Sequence, residues 1–324
     1  MMKTIAVLTS GGDAPGMNAA IRAVVRTACQ NGIKVYGVVR GYNGLINGDF
    51  VEMNLRSVSD IIHRGGTMLY SARSPEFRTE EGMQKAIKTC REFGIEGVVV
   101  IGGDGSFRGA RDLSERGLPC VGIPGTIDND VACCDYTIGY DTAMNTIMEM
   151  VDRVRDTTES HDRCSVVEVM GRSAGYLALN AGIAVGATSI LIPEVKCDIQ
   201  RDVIDRIREM QKTGKCHFLI VVAEGVEGVD VNELSATIQA QTGIESRALT
   251  LGHVQRGGSP TVRDRVVASQ MGNYAVKKLL MNNIGNRVVA FQKERVLDFD
   301  IFEALHMKKS IDLELYDIAH EISI

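Results

Sequence analysis

Residues 97–106 read GVVVIGGDGS. The first five positions are all apolar or glycine, so a strand there needs cover on both faces, as a parallel strand inside a sandwich of helices has. The run ends in glycines around one carboxylate, and a helix follows to about Glu115. Strand, glycine turn and helix form the repeating unit of a parallel sheet with right-handed crossovers. The unit recurs in both directions. Upstream, Thr4–Thr9 (TIAVLT) predicts a strand, Gly11–Gly16 a loop, Met17–Gln30 a helix stopped by Gly32, and Val35–Val39 a strand. Ser59–Arg64 reads as a short helix before Gly65 and Gly66, and Thr79–Phe93 as a longer one.

Downstream, Pro119–Ile123 predicts a strand running into Pro124–Asp130, and Asp141–Thr157 a helix. Strands at Cys164–Val169, Ser189–Ile192, Phe218–Ala223, Ala248–Leu251 and Arg287–Phe291 alternate with helices from Ala174, over Ile199–Lys212, over Glu233–Gln241 and over Asp264–Met281. The expected fold class is α/β: two Rossmann-like three-layer α/β/α lobes with mainly parallel sheets. In such sheets ligands sit beyond the carboxyl ends of the strands, and the chemistry-bearing residues cluster at those ends here, which suggests a two-lobed enzyme with a cleft.

Composition bounds the rest. A chain of 324 residues is long for one small core and short for three, which favours two lobes. The formal net charge is −5 and no long basic run occurs, so nucleic acid is not an expected partner. An acidic chain that takes anionic ligands must concentrate its positive charge in arginine-bearing pockets. Eight cysteines, at 29, 90, 120, 133, 134, 164, 197 and 216, include no C-x-x-C pair, and Cys133 and Cys134 are adjacent. Reduced thiols and a cytoplasmic location are the reading. The six histidines lack zinc-ligand spacing. Met1-Met2-Lys3-Thr4 runs straight into a strand pattern, with no signal peptide and no apolar stretch of membrane-spanning length expected, so no membrane association is predicted.

Three loops carry chemistry. Gly11–Gly16 follows a strand and opens a helix, where glycines admit a phosphate to the backbone and free N–H groups attract anions. It lacks the lysine of a Walker A loop, and a plain tight turn is the competing reading. Gly102–Ser106 sets Asp104 between glycines, where one carboxylate suits Mg²⁺ beside a polyphosphate, or caps a helix. In Pro124–Asp130, Thr126, Asp128 and Asp130 alternate. If the segment is extended all three point the same way, and a carboxylate there can accept a hydroxyl proton.

The loops GGDAPGMN, GGDGS and PGTIDND, with MGR at 170–172 and GHVQRGGSP at 252–260, resemble the bacterial ATP-dependent 6-phosphofructokinases over essentially the whole chain, from Ile5 to Ile324. The resemblance implies transfer of the γ-phosphate of MgATP to the C1 hydroxyl of fructose 6-phosphate in glycolysis. It implies ATP contacts at Gly12, Arg73, Ser74, Gly103, Asp104, Gly105 and Ser106, with Asp104 serving Mg²⁺ and Asp130 acting through the metal. Asp128 would accept the hydroxyl proton, Thr126 would line the transfer site, and Arg172 would face the migrating phosphoryl group. Met170, Gly171 and Glu224 would hold the sugar, and Arg163, Arg247, His253 and Arg256 its 6-phosphate. Arg163 and Arg247 would reach in from a neighbouring subunit of a homotetramer. The lobes implied are residues 1–139 plus 256–309 for ATP, the larger, and 140–255 plus 310–324 for fructose 6-phosphate.

Relatives that use pyrophosphate typically carry a bulkier acidic residue at the position of Gly105 and lysine at that of Gly125, so two glycines favour ATP. The remaining alternatives are the pyrophosphate-dependent enzyme and a catalytically silent binding subunit. Arg22, Arg26, Arg155, Lys215 and His217 match the family's effector site for ADP and phosphoenolpyruvate. Arg22 and Arg26 stand i, i+4 on one helix, a repulsion an anion would relieve. Thr188 replaces a common glutamate, Thr213 a common cation and Leu55 a common arginine, which implies weakened or altered effector control.

Overall fold

The computed structural model describes residues 2–323. It contains strands β1 (Thr4–Thr9), β2 (Lys34–Val38), β3 (Phe50–Met53), β4 (Gly97–Gly102), β5 (Cys120–Pro124), β6 (Cys164–Val169), β7 (Ser189–Leu191), β8 (Phe218–Ala223), β9 (Ser246–Thr250), β10 (Arg287–Gln292) and β11 (Arg295–Asp300). The chain divides into two compact units, Met1–Thr142 with Arg256–Lys309, and Ala143–Gln255 with Ser310–Ile324. The first unit holds a seven-stranded sheet in the order β11-β10-β5-β4-β1-β2-β3, and the second a four-stranded sheet in the order β7-β8-β6-β9. All pairings are parallel except β2–β3 and β10–β11 at the two edges of the larger sheet. The α/β class and the parallel sheets expected from the sequence are present, and no helix among the described residues is long and apolar enough to cross a membrane.

The central strands follow their composition. Every residue of β4, β5 and β8 is buried, as continuous apolar runs require. The helix Met17–Gln30 turns Ala20, Ile21, Val24, Val25 and Ala28 inward and leaves Arg22 and Arg26 half-buried. Several expectations are corrected. Ser59–Arg64 forms turns rather than a helix. The helix expected over 264–281 is an α-helix only over Val262–Tyr274, followed by a π-helical stretch at Ala275–Leu279. Gln200–Asp205 is likewise π-helical, before the α-helix Arg206–Lys212.

One buried carboxylate organises the first unit beside its sheet. Asp264 is fully buried, and both its oxygens accept hydrogen bonds. Oδ1 takes the Tyr136 hydroxyl (2.5 Å) and the Gly139 amide (2.7 Å), and Oδ2 takes the Thr142 amide (2.9 Å) and the Thr142 hydroxyl. Truncation would strand four donors in the interior. Asp264→Ala is therefore expected to destabilise the protein by about 3 kcal/mol or more, read as a fall in the denaturant midpoint.

The thiols are free, and Cys90, Cys120, Cys133, Cys134 and Cys164 are buried while Cys216 is exposed. Burial pushes the Cys90, Cys133 and Cys164 thiols up to about 12 and that of Cys134 up to about 11. The thiolate is the reactive form, so a disulfide reagent at about pH 8 should label Cys216 first and reach the five buried thiols only after unfolding. Rapid labelling of Cys133 or Cys134 in the native protein would contradict this.

Candidate active site

In the first unit β5, β4 and β1 are neighbours running in one direction, so the loops that follow them emerge side by side. Backbone bonds lace the exits together: Ser10 N–H donates to the Ile101 carbonyl and Gly125 N–H to that of Gly102, both at 3.0 Å.

In the first loop Gly16 holds φ +101° and opens the helix Met17–Gln30 without a side-chain cap. A Cβ at Gly12 would stand 2.2 Å from the Arg256 guanidinium, which donates to the Asp13 carbonyl (3.2 Å). Arg256, expected at the sugar phosphate, thus lies against the loop expected to take nucleotide. The Ser71 hydroxyl donates to the Gly11 carbonyl (2.6 Å), bringing the 71–74 segment to the same loop. Arg73 is exposed, its carbonyl held by the Asn43 side chain, and the Ser74 hydroxyl accepts from the Phe77 amide.

In the second loop Gly103 precedes the helix Asp104–Glu115. Burial holds the half-buried Asp104 carboxyl above the usual carboxylate range, the Asp130 charge adds to this, and Arg108 opposes it. A carboxylate raised in this way by a neighbouring carboxylate fits a hard divalent cation. No cluster of three or more potential metal ligands occurs among the described residues. A Cβ on Gly105 would meet no heavy atom within 4 Å, whereas one on Gly125 would press on Ile101 (3.1 Å) and Met17 (3.3 Å). Ser106 is buried, and its carbonyl accepts the hydroxyl of Tyr42 (2.5 Å), whose ring stacks on Phe77 at 4.0 Å. Sequence reasoning missed Tyr42 and Phe77; neither stands in a motif, and only the fold brings them to the second loop.

The third loop is not extended. Residues 127–128 turn and Asn129 adopts φ +52°, so the alternation argument for Thr126, Asp128 and Asp130 fails. Asp128 is 1% exposed, and its amide donates to the Thr126 hydroxyl (3.3 Å). The Thr137 hydroxyl donates to the Thr126 carbonyl (2.6 Å), and the Asn129 side chain accepts from the Thr137 amide and donates to the Asp135 carbonyl.

In the second unit Met170, Gly171 and Arg172 follow β6, and Glu224 follows β8. Glu224 Oε1 accepts the amides of Gly171 (3.2 Å) and Arg172 (2.7 Å), and Met170 N–H donates to buried Gln255 (3.1 Å). Arg172 is exposed at φ +54°, and a Cβ on Gly225 would strike its carbonyl at 1.9 Å. Arg163 and Arg247 lie at the opposite ends of these strands: Arg163 precedes β6 and Arg247 is the second residue of β9, paired with Ser165. Six residues of β6 separate the two groups by roughly 20 Å. Both arginines pair with Glu245, a residue the motifs did not flag, and Arg163 and then Arg247 hold its carboxyl below the usual range. His253 is exposed in the short 3₁₀ helix Gly252–Arg256.

Of the effector residues, Arg155 and Lys215 lie close enough for repulsion: burial lowers the Lys215 ammonium, and Arg155 and Arg206 lower it further. His217 pairs with Glu159 at 3.2 Å. Burial and then Arg26 lower Arg22 in the first unit. Thr188 is buried with its hydroxyl on the Leu219 amide, Thr213 donates to the Met210 carbonyl, and Leu55 is exposed.

A family profile described as "Phosphofructokinase" matches residues 4–279. The ATP-dependent 6-phosphofructokinases of Clostridium tetani and of Clostridium botulinum are each 56% identical over 99% of this chain and 100% of their own length. The Saccharomyces cerevisiae phosphofructokinase structure superposes with a TM-score of 0.89 at 36% identity, over 99% of this chain and 48% of that one, so the chain spans about half that protein's length. A pyrophosphate-dependent phosphofructokinase from Marinobacter aquaeolei shares the fold, with a TM-score of 0.85 at 21% identity over 97% of this chain and 86% of that one. The chain belongs to the phosphofructokinase family.

Proposed function

We propose that the chain transfers the γ-phosphate of ATP to the C1 hydroxyl of fructose 6-phosphate, giving fructose 1,6-bisphosphate and ADP. The observation that carries this reading is the row of three loops in the first unit, which sets Asp104 and Asp128 at the ends of adjacent parallel strands. Gly12, Arg73, Ser74, Gly103, Gly105 and Ser106 bind the nucleotide. Asp104, with Asp130 near it, holds Mg²⁺, which when bound neutralises phosphate charge. Buried Asp128 accepts the proton of the C1 hydroxyl, and Thr126 fixes the turn that aims it. Arg172, whose backbone Glu224 holds, stabilises charge on the migrating phosphoryl group.

Met170, Gly171 and Glu224 bind the sugar, and His253, Arg256, Arg163 and Arg247 its 6-phosphate. The ~20 Å between the ends of β6 supports Arg163 and Arg247 serving a neighbouring copy in a homotetramer. The first unit is then the ATP lobe and the second the fructose 6-phosphate lobe of a cytoplasmic enzyme. Open space beside Gly105 supports ATP as donor.

A coupled assay of fructose 1,6-bisphosphate formation, run with ATP and with pyrophosphate, tests the reading. ATP is expected to support turnover and pyrophosphate not; the reverse, or silence with both, would reject it. Asp128→Ser should lower turnover by about 100-fold or more while ATP still binds. A variant with unchanged turnover would remove Asp128 from the chemistry.

Arg22, Arg26, Arg155, Lys215 and His217 are the effector-binding residues in this proposal, with anion binding retained and the ADP response weakened. The support is that Thr188 and Thr213 spend their hydroxyls on the backbone and Leu55 has no charge. Initial rates against fructose 6-phosphate, with and without ADP and phosphoenolpyruvate, should therefore respond weakly to ADP. Strong responses to both would contradict this.

A further inference from the structure

Lys309 is the last residue of the first unit and lies in no motif. Its ammonium donates to the carbonyl of Asn129 (2.6 Å) and to that of Cys134 (2.8 Å). Asn129 stands between Asp128 and Asp130 and holds φ +52°, a conformation costly for a residue with a side chain unless its surroundings impose it. The surroundings here tie down both its side chain and its carbonyl. The Asn129 side chain is tied to Thr137 and Asp135, and its main-chain carbonyl is tied to Lys309. That carbonyl belongs to the Asn129–Asp130 peptide plane, so the ammonium fixes the direction in which the chain leaves Asn129 towards Asp130, one residue after Asp128. Burial disfavours the charged amine at this depth, and Asp135 and Asp130 are among the groups that favour it.

We propose that Lys309 is a positioning residue for phosphoryl transfer: its ammonium locks the left-handed Asn129 peptide and thereby aims Asp128 and Asp130. This rests on the phosphofructokinase reading above. Small displacements of reacting groups are costly in rate, whereas the contacts assigned to the nucleotide and the sugar, apart from Asp130 acting through the metal, lie elsewhere. The loss should therefore fall on kcat and spare KM.

The test uses the full chain with Lys309→Met, which keeps the aliphatic stem and removes the charge, and Lys309→Arg, which keeps a cationic donor. ATP-binding sites are counted with a non-reacting ATP analogue, and kcat is expressed per binding site. The methionine variant is expected to lose about tenfold or more in kcat per site, with both KM values within about threefold of wild type. The arginine variant should recover most of that loss. A smaller fall in kcat per site overturns the proposal. So does a variant that merely loses binding sites while each remaining site turns over normally, because that is the signature of a stability role. Should Lys309→Met not fold, Lys309→Gln, which retains a neutral donor, is read against the same threshold. A wild-type chain inactive with ATP and fructose 6-phosphate would overturn the proposed function and this proposal together.

Discussion

The carboxylate of Asp264 sits where no water reaches; burial raises its proton affinity, and four donors from residues 136–142 converge on it and oppose that rise. That arrangement binds the helix Val262–Tyr274 to the segment that follows the third loop. Through Thr137 it extends to the Thr126 carbonyl and the Asn129 side chain, and so to both flanks of Asp128. A buried charge that loses its partners is expensive, so the segment has one acceptable course. The second unit uses the same device on a smaller scale. Glu224 collects two consecutive amides, and Gly225 leaves room for the Arg172 carbonyl. Each carboxylate thus holds a backbone in a shape that the local sequence would not choose.

Most of the framework was readable in the sequence, because the central strands bury both faces and their composition says so. The edges were not. β3 is four residues long and carries Glu52 outward. β11 is reached through Lys293 and Glu294, both at positive φ, so the hairpin turn lacks the glycine or asparagine that usually marks one. The helix Gly41–Asn47 contains two glycines and defeats propensity. Both π-helical stretches continue helical sequence patterns, and only a shift of hydrogen-bond register separates them from α-helix.

Site residues divide along similar lines. The candidates flagged from glycines and carboxylates do stand in loops that follow strands, where such residues have few other uses. Those that act over long separations were not flagged. Asp264 meets residues more than 120 positions away, and Lys309 meets Asn129 across 180. Glu245 became visible only once β6 and β9 were paired in register. Even within a recognised loop, the geometry of 126–130 depended on one left-handed residue that nothing local announced.

Glu245 has a further consequence. Arg163 and Arg247 already grip a carboxylate of their own chain, so that corner of the sheet carries a built-in occupant of single negative charge. An incoming anion reaches these guanidinium groups by exchange, and its advantage is the difference between its own charge and geometry and those of the tethered group. An anion carrying two charges would gain more from that exchange than a carboxylate or chloride would.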